Sequence, residues 1–362
     1  MIQKEKIRGV GYFLMALAAG LLPFAAPDAC AQALREGLAL CGGPLLLSLF
    51  PFLIVSTLLI QCPVADVLGL PFCPAARLIG VRAPAAGRVL LIGSLGGFAP
   101  AASGSAGAVR SGQLTAREAD ALLPACVCSG PSFVILAVGQ SMLGSAELGV
   151  LLFLAQVAAG YLSAALLARL GGTPGSRAHP AVPTASQPLR LDGIIAQASQ
   201  TYLKLCGFVL FFRMLAAGAG EVLPSGAGVF CAMLLEVCSG CDLAAKSGRF
   251  ASMLCCAALS VQGLSVLMQV RTICPPEMTL RPLYRARLLH LPLSLLVFYL
   301  LLPQRAQETF SSLCGRVTTM RRLPPDCALL VFLGCCFAVC ELSRVLAKEP
   351  NQTQRDKVAN QS

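Results

Sequence analysis

The run from Pro44 to Ile60 (PLLLSLFPFLIVSTLLI) carries no charged side chain from end to end. A helix of that length and apolarity reaches across a hydrocarbon core. In lipid every backbone N–H and C=O must be satisfied inside the protein, which restricts spanning segments to helices and closed barrels. Comparable apolar runs recur at 9–26, 147–168, 203–219, 227–243, 250–270, 288–302 and 326–345. Only 12% of the residues are charged and the mean hydropathy is +0.74. Soluble domains carry about 25% charged residues, so this chain has too little charge to clothe a water-facing surface. The fold class expected is an all-α polytopic membrane bundle.

Charge is placed as it is in such bundles. The net charge is +11, but the Lys and Arg residues sit in short stretches between apolar runs, as juxtamembrane anchors do. Lys4, Lys6 and Arg8 precede the first run, and Arg77, Arg82 and Arg88 follow the second. By the positive-inside rule both stretches are cytoplasmic, which puts the N-terminus in the cytoplasm with an uncleaved first helix. No basic run is interleaved with aromatics, so nucleic acid is not an expected partner; membrane lipid is. The 18 cysteines lie mostly inside apolar runs, where Cys behaves as a small hydrophobe. Cys238 and Cys241 have CxxC spacing without a second pair or nearby His, so neither metal nor cofactor is expected.

Several apolar runs are interrupted. Val89 to Ala108 (VLLIGSLGGFAPAASGSAGA) begins as a membrane helix and dissolves into small residues at Gly96, Gly97 and Pro100. Thr115 to Glu118 has the form of a capping box, and Glu118 and Asp120 read as a solvated face. The next run is interrupted at Ser129, Gly130 and Pro131. After a Pro- and Gly-rich linker the pattern restarts, with interruptions at Ser239 and Gly240 and again at Gln262 and Gly263. The expected organisation is a lead-in helix (1–43), a first repeat (44–170), a linker (171–200), a second repeat (201–303), a connector with a last helix (304–346) and a polar tail (347–362).

Breaks free backbone groups that lipid cannot satisfy, so broken segments face protein or a wet cavity. Paired breaks in matching positions of two halves point to a midplane site. The candidate solute-binding residues are therefore Gly96, Gly97, Ser129, Gly130, Pro131, Glu236, Ser239, Gly240, Gln262, Gly263, Ser265 and Gln269. Small-residue helix packing is the competing reading. Glu236 lies inside an apolar run, where a carboxylate needs a partner or water; Arg213 is the expected partner in an ion pair. Gln262 and Gln269 are spaced to share one helical face. No Ser/His/Asp, paired-carboxylate or phosphate-loop set occurs, so no catalytic residues are expected.

These stretches resemble the sporulation integral membrane protein YlbJ family, which carries the nucleoside-recognition Gate domain. The resemblance rests on Pro44 to Ile54, Ser94 to Phe98, Ser111 to Leu123, Ser129 to Gly139, Glu236 to Gly240, Gly263 to Val270 and Arg287 to His290. It implies two related Gate-type repeats with broken or re-entrant helices in the cell membrane of a spore-forming bacterium. It further implies a role in making the spore cortex and the transport or gating of a small polar solute such as a nucleoside. A scaffold for other sporulation membrane proteins is the alternative. The chain departs from the family pattern at Pro100, Ser103, Val127, Cys128, Ser239, Gln262 and Leu267, several of which replace polar candidates for solute contact.

Overall fold

The computed structural model describes residues 2–61, 66–171 and 191–302, and every regular element among them is helical. The chain is a multi-pass α-helical membrane protein. Among the described residues, five segments are long and apolar enough to cross a membrane: Pro27–Leu59, Ala146–Gly171, Leu191–Val222, Gly248–Ile273 and Arg281–Leu301. The expected last span, 326–345, the tail and most of the linker lie outside the described residues.

Three helices lead in: α1 (Ile2–Ala25), α2 (Pro27–Gly42) and α3 (Pro44–Gln61). The apolar part of α1, Phe13–Ala25, is shorter than a full crossing, because polar residues fill the helix before it. Helix α2 occupies what the sequence suggests is only a lead-in. Pro27 at its first position and Asp28 in its first turn start it well, the one with a preset φ, the other by facing the positive end of the helix dipole. Two short helices, α4 (Asp66–Gly69) and α5 (Cys73–Leu78), connect onward to α6 (Ala85–Gly96), α7 (Phe98–Arg110) and α8 (Ala116–Cys126). A π-helical segment, Ser132–Met142, and α9 (Ala146–Gly171) complete the first half. The second half comprises α10 (Leu191–Val222), α11 (Ser225–Leu235), α12 (Val237–Ala245), α13 (Ala251–Val261), α14 (Gly263–Ile273) and α15 (Arg281–Leu301). Helix α10 starts inside the expected linker.

The two halves repeat one order: a long helix, two broken helices, a long helix. The packing repeats with it. Helix α3 meets α10, and α9 runs along α15. Helix α7 packs on α14 while α12 packs on the π-helical segment. Helix α8 packs on α15 while α13 packs on α9. Exchanging the halves turns each of these pairs into the other, so a pseudo-two-fold relation runs between α9 and α15.

Two expectations change here. The small-residue stretch after Gly97 is helical, because its alanines are buried: Ala99, Ala101, Ala102 and Ala106 are fully enclosed. Small residues there serve close helix contact. Glu118 and Asp120 are buried, not solvated. The capping box forms, with Thr115 N donating to Glu118 Oε2 at 2.9 Å and Glu118 N donating to Thr115 Oγ1 at 3.2 Å. Asp120 accepts from Thr279 N at 2.8 Å and Leu280 N at 3.1 Å, holding the turn that starts α15. That tie joins the connector of one half to the other half. Large apolar side chains such as Leu154, Leu162, Leu288, Leu296 and Leu300 remain exposed, a surface that lipid covers and water would not tolerate.

Gly97 has φ +82, and a Cβ there would lie 2.6 Å from Gly130 N. Gly112 also has positive φ, +71, but open space around it. Gly97→Ala should therefore cost about 3 kcal/mol, strain plus clash, whereas Gly112→Ala should cost about 1 kcal/mol. Thermal unfolding of the two variants in nanodiscs checks the order; equal melting points would contradict the close approach of the first two breaks.

Candidate functional site

Four breaks interrupt the helices, and they meet in pairs. The first is at Gly97, between α6 and α7. The second is residues 127–131, between α8 and the π-helical segment. Gly97 lies so close to Gly130 that only glycine fits at position 97, while a Cβ on Gly130 would lie 3.3 Å from Gly96 O. The third is at Glu236, which is extended at φ −150 between α11 and α12. The fourth is at Gln262 and Gly263, both left-handed, between α13 and α14. A Cβ on Gly263 would lie 2.9 Å from Glu236 N. Each half thus crosses two broken helices at their interruptions.

The third break falls earlier than the sequence suggests. Ser239 and Gly240 are inside α12, and the interruption is at Glu236 itself. The reason is capping. One carboxylate oxygen of Glu236 accepts from Cys238 N at 2.9 Å, and the other accepts from Ser239 N at 2.7 Å and Ser239 Oγ at 3.0 Å. The side chain supplies the acceptor that the first turn of α12 lacks, and its charge faces the positive end of that helix. Gly240 serves packing, since a Cβ there would lie 2.8 Å from Met233 Cα. The expected Arg213–Glu236 ion pair is also corrected. Arg213 Nη2 donates to Glu36 at 2.6 Å. Helix α2 runs against α10, which delivers Glu36 to the guanidinium, while both oxygens of Glu236 are engaged by α12.

At the C-terminal ends of α8 and α13 the need is reversed. Freed carbonyls there require donors. Arg287 on α15 supplies them: Nη1 donates to Ser260 O at 3.3 Å, and Nη2 donates to Val127 O. Since α8 and α13 are equivalent in the two halves, one guanidinium bridges equivalent ends. A polar cluster surrounds it. Gln156 Nε2 on α9 donates to Ser260 Oγ at 3.0 Å and to Cys256 O at 3.2 Å. Ser260 and Ser294 share a hydroxyl hydrogen bond, and His290 Nε2 pairs with Gln156 O at 3.0 Å. Arg287, Gln156, Ser260 and Ser294 are not among the residues singled out as candidates. Arg287 lies in the polar start of α15 and reads from sequence as a juxtamembrane anchor; the usable signal was a basic residue just ahead of an apolar run that also holds His290.

A cavity opens where the breaks meet. Its volume is about 630 Å³ counting the space open to the outside, though a water molecule's centre can move through only about 40 Å³ of it. The wall is mostly apolar. Gly96 and Phe98 come from the first break, Ser129, Gly130 and Ser132 from the second, and Glu236 from the third; Gln269 on α14 completes the polar lining. Of the sequence candidates, Gly96, Ser129, Gly130, Glu236 and Gln269 are therefore brought to one cavity. Gly97, Pro131, Ser239, Gly240, Gln262, Gly263 and Ser265 do not line it. Gln262 and Gln269 share no open face, because the chain reverses its helical sense at Gln262. Gln262 is fully buried with neither amide atom hydrogen-bonded. Gln269 donates from Nε2 to Ser265 Oγ at 2.9 Å, and its Oε1 is buried without a donor.

Comparison with family models, with curated proteins and with solved structures finds no match. The chemistry of the cavity is consequently argued from its own atoms. Among the described residues there is no cluster of three or more His, Cys, Asp or Glu placed to hold a metal. The arrangement offers helix ends, hydroxyls, one carboxylate and one unpartnered amide oxygen inside an apolar wall. Such a set has the chemistry to hydrogen-bond a small polar group.

Arg287→Leu should destabilise the protein by about 3 kcal/mol, because two buried carbonyls lose their donor. Arg287→Lys should cost roughly half as much, since one ammonium cannot reproduce the fork. Denaturation in detergent, followed by loss of helicity, distinguishes these; a neutral Arg287→Leu variant would refute the bridging role.

Proposed function

We propose that this chain moves or gates a small polar solute across the cell membrane, with solute bound in the cavity between the breaks. The observation that carries the proposal is Gln269. A buried amide oxygen with no donor is costly, and it lines the same cavity as Glu236 and the small-residue ends of two broken helices. A passing N–H or O–H would satisfy it. Interrupted helices in two equivalent sets are the arrangement by which membrane carriers hold solute at mid-depth. The setting we propose, the cell membrane during spore cortex formation, rests on the resemblance to the YlbJ family alone, and the cytoplasmic N-terminus rests on the basic residues flanking the first two runs.

A scaffold within the sporulation machinery is the second reading. The narrow, apolar cavity favours it, since a wall of this kind gives a solute few polar contacts.

Flux in proteoliposomes separates the two. Nucleosides, nucleotides and small carboxylates are offered as labelled probes. Uptake of at least one class should be measurable, and Glu236→Gln should lower it roughly tenfold by loosening α12 at the cavity edge. Absence of flux for every class supports the scaffold. Intact flux in Glu236→Gln removes that residue from the site. A deletion strain should yield fewer heat-resistant spores; normal spore counts would sink the biological setting.

A further inference from the structure

A second cavity adjoins the first. It lies between the C-terminal halves of α7 and α14 and the stretch of α10 from Gln197 to Phe208, and its volume is about 650 Å³ counting the space open to the outside. Its character is opposite to that of the inner cavity. Arg110 and Lys204 line it together with amides and hydroxyls such as Gln200, Thr201 and Thr272, and no acidic side chain does. Arg110 and Lys204 are exposed, and neither has an ion-pair partner among the described residues. Exposed, unpaired cations do not sit in hydrocarbon, so this cleft faces water. Leu205 and Gln269 line both cavities. Gln269 is therefore the polar side chain standing between a cationic cleft and the meeting point of the breaks.

The inner end of that path has an asymmetry. Helices α7 and α12 are equivalent in the two halves. The N-terminus of α12 is capped by the carboxylate of Glu236, whereas α7 begins at Gly97 with no side-chain cap. Gly96 and Phe98, on either side of that start, line the inner cavity. An anionic group arriving there would take, on α7, the place that Glu236 takes on α12. The unpartnered Oε1 of Gln269 would accept an N–H or O–H from the same solute.

We propose that the cationic cleft is the water-side mouth of the inner cavity, that it admits small solutes bearing a carboxylate or phosphate, and that Gln269 is the septum between the two. The proposal rests on the transport reading for its purpose but not for its test. The cleft concentrates anions by the field of Arg110 and Lys204. The solute passes Gln269 and docks its anionic group on the first turn of α7. No bond is made or broken.

Thiol labelling tests this without any flux measurement. Thr201→Cys in the cleft and Gln269→Cys at the septum are placed in a cysteine-depleted full-length chain in phosphatidylcholine vesicles. An anionic sulfonate and a cationic trimethylammonium methanethiosulfonate reagent are compared, each rate normalised to a free thiol. Both positions should react, and the anionic reagent should be favoured by roughly tenfold at low salt. Arg110→Gln with Lys204→Gln should abolish the preference while leaving both positions reactive. Inorganic phosphate should slow labelling at Gln269→Cys. Labelling at Thr201→Cys with none at Gln269→Cys would overturn the path, and an unchanged preference in the double variant would overturn the charge selection. The phosphate of a lipid headgroup is the other source of the same chemistry. Vesicles containing phosphatidylglycerol should label as phosphatidylcholine vesicles do; a block confined to them would make the cleft a headgroup site and overturn the proposal. Labelling as expected with no flux for any probe would leave the mouth intact and fail the transport reading.

Discussion

The guanidinium of Arg287 holds together two helix ends that lipid could not have tolerated. A break in a membrane helix leaves carbonyls without donors, each at a cost of several kcal/mol in hydrocarbon. Val127 and Ser260 present such carbonyls at equivalent places in the two halves, and both accept from Arg287. A planar fork with several donors suits this task better than an ammonium would. The charge also favours two converging helix C-termini. Once the two ends are bridged, Gln156, Ser260, Ser294 and His290 can fill the surroundings with hydrogen bonds.

The same logic explains the other ionisable residues at the interruptions. Glu236 serves an N-terminus and Arg287 serves C-termini, each matching the local dipole. Asp120 receives the amides of Thr279 and Leu280 and so ties the first half to the start of α15. One break, at the start of α7, has no such partner, and the cavity lies beside it. The polar groups of this protein are thus mostly committed to its own backbone. Gln262 is also without a hydrogen bond but does not line the cavity; Gln269 and the cations of the outer cleft do face open space and are the ones left for a ligand.

Much of the fold was legible in the sequence because lipid imposes long apolar runs and because glycine and proline mark interruptions. Gly96 with Gly97, Ser129 to Pro131, and Gln262 with Gly263 all fall where helices break. The third break was read slightly late, because Ser239 and Gly240 look like a breaker, whereas the carboxylate of Glu236 starts a helix just before them. Glu118 and Asp120 were misread for a related reason. Glu118 is engaged at the start of its own helix by Thr115, and Asp120 looks solvated until the amides of Thr279 and Leu280, far away in the chain, are known. The partner of Arg213 depended on α2 packing against α10, which local pattern does not encode. Arg287 was missed since its role exists only when two halves come together.

The central claim is that the first three breaks line a hydrated cavity rather than a dry contact of small residues. Hydrogen–deuterium exchange of the full chain in nanodiscs measures this directly. Peptides covering 94–100 and 127–133 should exchange far faster than the interiors of α9 and α15, although both lie within the bundle. Protection at the breaks equal to that in the middle of α9 and α15 would contradict it.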